Sequence, residues 1–288
     1  MFNTVSVIGG DLRQLTLGKE LRKEGYNVFI YGFDKYSDDT ILDKEEDLDF
    51  VLCSDIIILP VPVTFDGSTI NSPYAAVPLS IDEFLVGINP TALVFGGQIK
   101  PNLKKALDDK SVKYCDYLTR EELAIRNAIP TAEGAIKIAI EETPITIHGS
   151  KCLVLGYGRI GKILSRMLLG MGADVWVEAR KYADLAMIEG HGYKPLSLEE
   201  LKSFIDDFDV IFNTVPSLIL DENLLKRVKQ EALIIDLSSK PGGVDFEAAK
   251  LMGLRVIWAL SLPGKISPVT SGIIIKDTIM NIINELEV

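Results

Sequence analysis

The residues that point most directly to chemistry are three glycines in the segment Gly156–Gly161, whose sequence is GYGRIG. In this spacing Gly156 permits a tight turn, Gly158 lets the backbone approach a pyrophosphate, and Gly161 lets a helix pack closely on a strand. The segment follows an apolar strand and opens a helical pattern, which is the context that a dinucleotide fingerprint requires. The sequence therefore predicts a bound dinucleotide with its phosphates at a helix N-terminus. The predicted contacts are Gly156, Tyr157, Gly158, Arg159, Ile160 and Gly161.

The end of the next strand indicates which dinucleotide binds. NAD-specific folds place an acid there to bind the ribose 2′-hydroxyl, whereas a 2′-phosphate needs cations. The expected acid position is occupied by Ala179, and Arg180 and Lys181 follow it. Glu178 is the acid nearest to this position, but the alternation of the strand leaves its direction undecided. Because the Arg180 guanidinium can chelate a phosphate, we predict that NADP is preferred over NAD.

Two later strand ends are expected to complete the cofactor site, because ligands lie at the carboxyl ends of parallel strands. Small polar residues at these ends can bind the ribose and the carboxamide, although ordinary turn chemistry explains the same residues equally well. The predicted contacts are Asn213, Thr214, Val215, Pro216, Leu237 and Ser238.

A histidine that acts as general acid and base is missing from the expected place. A 2-hydroxy-acid dehydrogenase needs such a group near its last strand, and the segment 262–268 contains no histidine. His148 and His191 are predicted to be a turn residue and an exposed residue, and neither forms a metal-binding spacing. The pattern favours a redox step that depends mainly on positioning, such as oxidation of a dihydropyridine to an aromatic ring.

The elements that must position these residues alternate between short β-rich runs and helical patterns, which is typical of α/β folds. We predict two doubly wound parallel-sheet (Rossmann-like) domains. Ser197–Glu200 predicts a capping box at a helix N-terminus, and Gly25 is placed to end the first helix. The predicted strands are 4–8, 27–32, 55–59, 91–95 and 112–114, followed by 151–155, 175–178, 209–214, 232–237 and 255–258.

The join between the two halves is expected to be helical. Helices are predicted for 121–127 and 131–142, separated by Pro130, and for the terminal segment 272–286. The terminal helix is expected to return to the N-terminal domain and to pack across a cleft between the domains. We therefore predict a substrate domain at 1–128, a connecting helix at 129–145, a Rossmann domain that binds NADP at 146–265 and a returning C-terminal segment at 266–288.

Composition excludes several classes of partner. The chain has 288 residues, 47% of them hydrophobic, and a formal net charge of −11. This charge argues against binding to nucleic acid or to an anionic membrane, since both need a basic face. Cys53, Cys115 and Cys152 form no CxxC pair and predict no disulfide framework. We expect a soluble cytoplasmic homo-oligomer without a metal.

Several segments together resemble the family formed by the A subunit of dipicolinate synthase in spore-forming bacteria, over essentially the whole chain. The resemblance lies in 7–14, 127–134, 156–161, 239–246 and 262–268. It implies an NADP-dependent oxidoreductase that converts dihydrodipicolinate, or its hydrated tetrahydro precursor from the lysine pathway, to dipicolinate. It also implies that the partner is a flavoprotein-like B subunit, and that synthesis takes place in the cytoplasm of the mother cell during sporulation. The Rossmann half alone resembles the wider group of 2-hydroxy-acid dehydrogenases.

A cyclic dicarboxylate needs cations or amide donors, which an acidic protein must concentrate locally. We predict that Arg13 and Lys265 bind the substrate carboxylates, that Thr131 orients the ring, and that Glu133 or a water it holds accepts a proton. Gln14 and Asn127 are predicted to contact the substrate as well. Two alternatives stay open: a non-catalytic NADP-binding subunit that serves a partner enzyme, and an amino- or keto-acid dehydrogenase of the alanine-dehydrogenase type.

Overall fold

The structure is a computed structural model that describes residues 2–37 and 43–286, and it divides into two compact units. Unit 1 is formed by Met1–Arg126 together with Ser267–Val288, and unit 2 is formed by Asn127–Ile266. The C-terminal segment thus belongs to the same unit as the N-terminus. Each unit is built around its own six-stranded sheet.

The elements of the first part of the chain alternate as the sequence pattern indicates. The strands are β1 (Thr4–Ile8), β2 (Asn27–Tyr31), β3 (Asp43–Lys44), β4 (Ile56–Ile58), β5 (Thr69–Ile70), β6 (Leu79–Ser80), β7 (Leu93–Gly96) and β8 (Lys113–Asp116). The helices are α1 (Leu12–Lys23), α2 (Leu48–Leu52), α3 (Ile81–Gly87), α4 (Pro101–Asp109) and α5 (Glu121–Glu142), with a 3₁₀ turn at Tyr117–Thr119.

The sheet of unit 1 is parallel, with the strand order β3-β2-β1-β4-β7-β8, and β5 and β6 form a separate antiparallel pair. Strand β4 is an uninterrupted run of three isoleucines because a central parallel strand is covered by helices on both faces. All three isoleucines are almost fully buried. The order of the strands reverses between β1 and β4, and such a switch point is where α/β sheets bind ligands.

The elements of the second part of the chain repeat this plan. The strands are β9 (Lys151–Leu155), β10 (Asp174–Glu178), β11 (Lys194–Leu196), β12 (Val210–Asn213), β13 (Leu233–Asp236) and β14 (Arg255–Trp258). The helices are α6 (Arg159–Gly170), α7 (Tyr182–Gly190), α8 (Leu198–Phe204), α9 (Glu222–Leu225), α10 (Phe246–Leu251), α11 (Leu262–Ile266) and α12 (Pro268–Glu285), with a 3₁₀ turn at Ile205–Asp207.

The sheet of unit 2 is also parallel, with the order β11-β10-β9-β12-β13-β14 and a switch point between β9 and β12. The two doubly wound parallel sheets confirm the predicted fold class. The capping box is confirmed too, because Ser197 Oγ accepts from the Glu200 amide at 3.3 Å and Glu200 Oε2 accepts from the Ser197 amide at 3.0 Å. Its helix, α8, precedes β12 as the sequence pattern predicts.

The terminal helix α12 packs within unit 1 against α1. Its apolar face, which includes Ile275, Ile279 and Ile282, joins the core that surrounds β1 and β4. A Cβ at Gly272 would lie 2.5 Å from the carbonyl oxygen of Arg13, so only glycine permits this approach of the two helices. The helix begins at Pro268, four residues before the predicted start. Proline is well suited to a first helical position because the amide hydrogen that it lacks would have no acceptor within the helix there.

The predicted break at Pro130 is wrong, because α5 is one helix of 22 residues that passes through this proline. Pro130 cannot donate to the carbonyl of Arg126, which ordinarily disrupts a helix. The C-terminal half of the helix nevertheless buries Ala132, Ala135 and Ala139 completely in the core of unit 2. This packing outweighs the lost hydrogen bond, and local sequence signals do not report it.

The sequence pattern also missed short strands. Strands β3 and β11 add a sixth, edge position to each sheet, and the pair β5–β6 lies outside both sheets. These strands contain only two or three residues, which is too few for an alternating pattern. Strand β11 contains Pro195, and proline is tolerated at an edge where no further strand needs its amide.

Candidate functional site

The fingerprint segment forms the turn that its glycines require. Strand β9 ends at Leu155, Gly156 adopts a φ of +91°, and Gly158 is the N-cap residue of α6. A Cβ at Gly161 would lie 2.1 Å from the carbonyl oxygen of Gly156, so the helix touches the turn. In contrast, a Cβ at Gly158 would meet no atom within 4 Å. The space above Gly158 is therefore open to a ligand.

This turn borders a cavity of ≈ 520 Å³ at the switch point of the unit 2 sheet. The cavity connects the fingerprint with the carboxyl ends of β10 and β12. Its lining residues are Gly156, Tyr157, Gly158, Glu178, Ala179, Arg180, Lys181, Asp184, Leu198, Thr214, Val215, Pro216, Ser217, Leu218 and Ile219. Amide donors at the N-terminus of α6 and cations beyond β10 thus border the same space, which suits a dinucleotide phosphate.

The other predicted fingerprint residues have different environments. The Tyr157 hydroxyl lies 2.6 Å from Nδ1 of His191, and Nζ of Lys162 lies 5.3 Å from the centroid of the Tyr157 ring. Ile160 packs against the core of unit 2, and Arg159 is exposed. His191 is exposed as predicted, and its contact with Tyr157 joins the end of α7 to the fingerprint turn.

At the end of β10, burial changes sharply from one residue to the next. Ala179 is buried, whereas Arg180 and Lys181 are exposed. Within residues 2–37 and 43–286, neither of these two cations forms an ion pair. Two positive charges that form no ion pair with another described residue thus border the cavity, and they can receive an anionic group.

Glu178 lies in the cavity wall, whereas the sequence pattern left the direction of its side chain undecided. The residue is 2% exposed, and its Oε1 atom is buried without a hydrogen-bond partner in the described part of the chain. Burial raises the pKa of the Glu178 carboxyl, while the Gly156 amide and the Arg180 guanidinium act in the opposite direction. A buried carboxyl oxygen without a partner among the described residues is costly and therefore points to a functional role.

The ends of β12 and β13 hold a buried polar network centred on Asp236, which is fully buried. Asp236 Oδ1 accepts from Asn213 Nδ2 at 2.8 Å and from the Ser238 hydroxyl at 2.7 Å. Its Oδ2 accepts from the Gly243 amide at 2.8 Å. The side chains of Asn213 and Ser238 are thus used within the protein, and the sequence pattern did not identify Asp236 as their partner.

Of the six residues predicted at these strand ends, Thr214, Val215 and Pro216 line the cavity. The Thr214 hydroxyl donates to the Leu155 carbonyl at 2.9 Å, which ties β12 to the fingerprint strand. Asn213, Leu237 and Ser238 are buried and lie outside the cavity lining. Of the six predicted residues, three therefore line the cavity, and the other three are buried in the protein behind the cavity wall.

In unit 1, Arg13 and Gln14 lie on the first turn of α1, directly after β1. Arg13 Nε donates to Asp11 Oδ1 at 2.9 Å, and its Nη2 donates to the Val61 carbonyl at 2.9 Å. Arg13 thus spans the ends of β1 and β4, at the switch point. Gln14 is fully buried; its Oε1 accepts from the Asp11 amide at 3.1 Å, and its Nε2 has no partner among the described residues.

The remaining predicted residues, Asn127, Thr131, Glu133 and Lys265, belong to unit 2. The Thr131 hydroxyl donates to the Asn127 carbonyl at 2.7 Å, and Asn127 Oδ1 is buried without a partner in the described part of the chain. Glu133 is exposed on α5, and Lys265 is exposed on α11. The two helices pack together, since a Cβ at Gly134 would lie 3.2 Å from Leu262 and from Ile266.

The acidic and thiol side chains of the described residues form no metal centre. Among residues 2–37 and 43–286, no group of three or more His, Cys, Asp or Glu side chains is arranged to hold a metal ion. No helix in those ranges is long and apolar enough to cross a bilayer. Cys53, Cys115 and Cys152 are free thiols.

Comparison with known proteins gives consistent matches over both units. A family model described as the N-terminal domain of the dipicolinate synthase A subunit matches residues 4–118. A second, described as the D-isomer specific 2-hydroxyacid dehydrogenase, NAD binding domain, matches residues 118–245. The dipicolinate synthase A subunit of Bacillus subtilis (strain 168) is 33% identical over 286 residues, covering 98% of this chain and 96% of that protein.

Two solved structures are similar over nearly the whole chain. The dipicolinate synthase A subunit from Bacillus halodurans has a TM-score of 0.88 and 31% identity, covering 97% of each chain. The A chain of dipicolinate synthase from Bacillus subtilis has a TM-score of 0.87 and 33% identity, covering 100% of this chain and 97% of that chain. The match to an NAD-binding domain agrees with the cavity described above, and the cofactor is a nicotinamide dinucleotide.

Proposed function

Because the chain belongs to the family of dipicolinate synthase A subunits and is an NAD(P)-dependent dehydrogenase, we propose that it forms dipicolinate. Its substrate is dihydrodipicolinate or the hydrated tetrahydro precursor from the lysine pathway. The observation that carries the proposal is the open space above Gly158 at the switch point of the unit 2 sheet. This space lets a pyrophosphate reach the N-terminal amides of α6.

The reaction removes a hydride and a proton from the dihydropyridine ring, and the hydrated precursor also loses water. When bound, the nicotinamide ring of the cofactor supplies the acceptor for the hydride. The aromatic ring that forms provides much of the driving force, so the protein mainly has to bind, orient and deprotonate. A reaction that depends mainly on positioning agrees with the absence of a histidine from segment 262–268.

NADP is the proposed form of the cofactor. Arg180 and Lys181 are exposed at the cavity, and neither forms an ion pair within the described residues. Ala179 stands where an acid would bind the ribose 2′-hydroxyl of NAD, so no charge at that position repels a 2′-phosphate. The planar guanidinium of Arg180 suits bidentate binding of phosphate, and Lys181 adds a second positive charge.

Four side chains are proposed to bind and orient the substrate. Arg13 and Lys265 bind carboxylates, and Gln14 and Asn127 contribute polar contacts. The position of Arg13 at the ends of β1 and β4 supports its assignment, because switch points bind ligands. The buried atoms Gln14 Nε2 and Asn127 Oδ1, which have no hydrogen-bond partner among the described residues, support theirs, because such groups ordinarily have a partner.

Thr131 and Glu133 are proposed to complete the reaction. Thr131 lies one helical turn after Asn127 and orients the substrate ring, while Glu133, or a water that it holds, accepts the proton. Lys265→Ala tests the substrate contacts. We expect at least a 10-fold rise in KM, because a hydrogen bond to a charged group contributes about 1.5–3 kcal/mol. Unchanged KM and kcat would remove Lys265 from the site.

The partner, the assembly and the cellular setting are part of the same proposal. We propose that the chain acts with a flavoprotein-like B subunit, forms a homo-oligomer, and works in the cytoplasm of the mother cell during sporulation. The Bacillus subtilis relative is itself named an A subunit, which supports the existence of a second kind of chain in the synthase.

A direct assay supplies purified protein with NADP and freshly generated lysine-pathway intermediate, with and without the B subunit. NADPH absorbance and terbium luminescence of dipicolinate are followed together. We expect both signals to rise together, and the reaction without the partner shows whether this chain suffices. Dipicolinate without NADPH would assign the oxidation to another oxidant. If neither signal rises although NADP binds, the non-catalytic interpretation replaces this one.

A further inference from the structure

Glu178 is a polar residue of the cavity that the proposed reaction does not use. It ends β10, is 2% exposed, and still lines the cavity beside the fingerprint turn. Oε1 has no hydrogen-bond partner in the described part of the chain. Retaining an unpaired carboxyl oxygen in a ligand cavity costs folding free energy, and a ligand that donates a hydrogen bond to it removes that cost.

The apolar residues that line the same cavity as Glu178 indicate which part of a ligand meets it. Leu198 at the start of α8, together with Leu218 and Ile219 after β12, lines the same cavity. Leu218 is 62% exposed and Leu198 38% exposed, although both are large apolar side chains. An apolar wall with a small number of buried polar groups is typical of a pocket that holds a flat, mainly apolar group and fixes its orientation. In a dinucleotide this group is a base.

We infer that Glu178 recognises the adenine of the cofactor by accepting a hydrogen bond from its exocyclic amine. The inference rests on the proposed binding of NADP and adds the residue that selects its base. Residues of the fingerprint and the cations Arg180 and Lys181 contact phosphates, which every nucleotide carries, so they do not distinguish one base from another. Glu178 is the group of the cavity wall whose unpaired atom can make this distinction.

The protonation chemistry of the site agrees with this role. Burial raises the pKa of the Glu178 carboxyl, against the opposing effects of the Gly156 amide and the Arg180 guanidinium. A neutral carboxyl has one acceptor and one donor, and the amine and N1 of adenine present the complementary donor and acceptor. The side chain can therefore accept a hydrogen bond from the adenine amine in either protonation state. When it is neutral, it can also donate one to N1.

The test compares NADP with its 1,N6-ethenoadenine analogue, in which a fused ring replaces both amine hydrogens and leaves the ribose and all phosphates unchanged. Dissociation constants are measured by calorimetry. We expect wild-type protein to bind the analogue at least about 10-fold more weakly than NADP, because the buried oxygen stays unpaired. Glu178→Ala should reduce this ratio below about threefold, and Glu178→Gln should retain it because an amide oxygen also accepts.

Lys181→Ala is the matched control, since this exposed residue lines the same cavity and should weaken both ligands equally, leaving their ratio unchanged. Thermal melting shows that each variant is folded. Equal binding of NADP and the analogue by wild-type protein would overturn the inference, and it would mean that Glu178 meets the ribose or no ligand atom. An unchanged ratio in Glu178→Ala would overturn it too. If wild-type protein binds neither NADP nor NAD, the proposed function itself fails.

Discussion

Replacement of single glycines in the fingerprint turn separates ligand binding from folding. Gly158 has φ −83° and ψ −161°, which alanine adopts without strain, and its added Cβ would meet no protein atom within 4 Å. We therefore expect Gly158→Ala to lower the free energy of unfolding by less than about 1 kcal/mol, the loss that alanine causes at an N-cap.

The effect of the same change on the cofactor is expected to be large. The new methyl group occupies the space through which the pyrophosphate reaches the amides of α6. Displacing one phosphate oxygen from an amide loses a hydrogen bond to a charged group, which contributes about 1.5–3 kcal/mol. This corresponds to a rise of about 10- to 150-fold in the dissociation constant of NADP. Calorimetric titration and urea unfolding of the same sample measure both quantities.

Two further glycines of the same helix supply the comparison. At Gly161 the new Cβ would lie 2.1 Å from the Gly156 carbonyl oxygen, so Gly161→Ala should lose about 1–3 kcal/mol of stability along with NADP binding. At Gly170, the last residue of α6, nothing lies within 4 Å of the new atom, and Gly170→Ala should stabilise the protein by about 0.4–1 kcal/mol. If Gly158→Ala binds NADP as tightly as wild type, the phosphates do not pass over Gly158 and the reasoning fails.

Three other changes test the site and its support. Arg180→Ala should weaken NADP about 10-fold or more and NAD less than about threefold, as measured by calorimetry, since only NADP carries the 2′-phosphate; equal loss for both would argue against this contact. Asp236→Asn should lower the free energy of unfolding in urea by about 2–4 kcal/mol, because the new side-chain amide faces the Gly243 amide with a second donor. The control Asp221→Asn, at a helix N-cap, should change this free energy by no more than about 0.5 kcal/mol. The pKa of Asp55 is lowered chiefly by the backbone amides of Asn3 and Thr4, so its stabilising effect is present above the unfolded pKa of about 3.9 and is lost as pH falls through the folded value. Asp55→Asn should therefore be less stable than wild type at about pH 7, and the difference should shrink at about pH 3; an unchanged difference would contradict this sign.

The features that were predictable from the sequence depend on local physical chemistry. The turn at Gly156, the start of α6 at Gly158 and the capping box at Ser197 depend on residues within a few positions of one another. The alternation of strands and helices likewise follows from periodicities of two and 3.6 residues. The fold class, the fingerprint and its strand–turn–helix context are therefore correct from sequence.

Features that depend on contacts between residues far apart in the chain could not be predicted from the sequence. Glu178 is buried at the cavity wall because β10 lies between β9 and β11, which alternation along one strand does not reveal. Asn213 faces Asp236 because β12 pairs with β13, and this pairing makes a predicted ligand contact part of the support. Helix α5 continues through Pro130 because its alanines are buried in the core of unit 2. In each case burial against residues far along the chain outweighs the local preference, and burial exists only once the chain has folded.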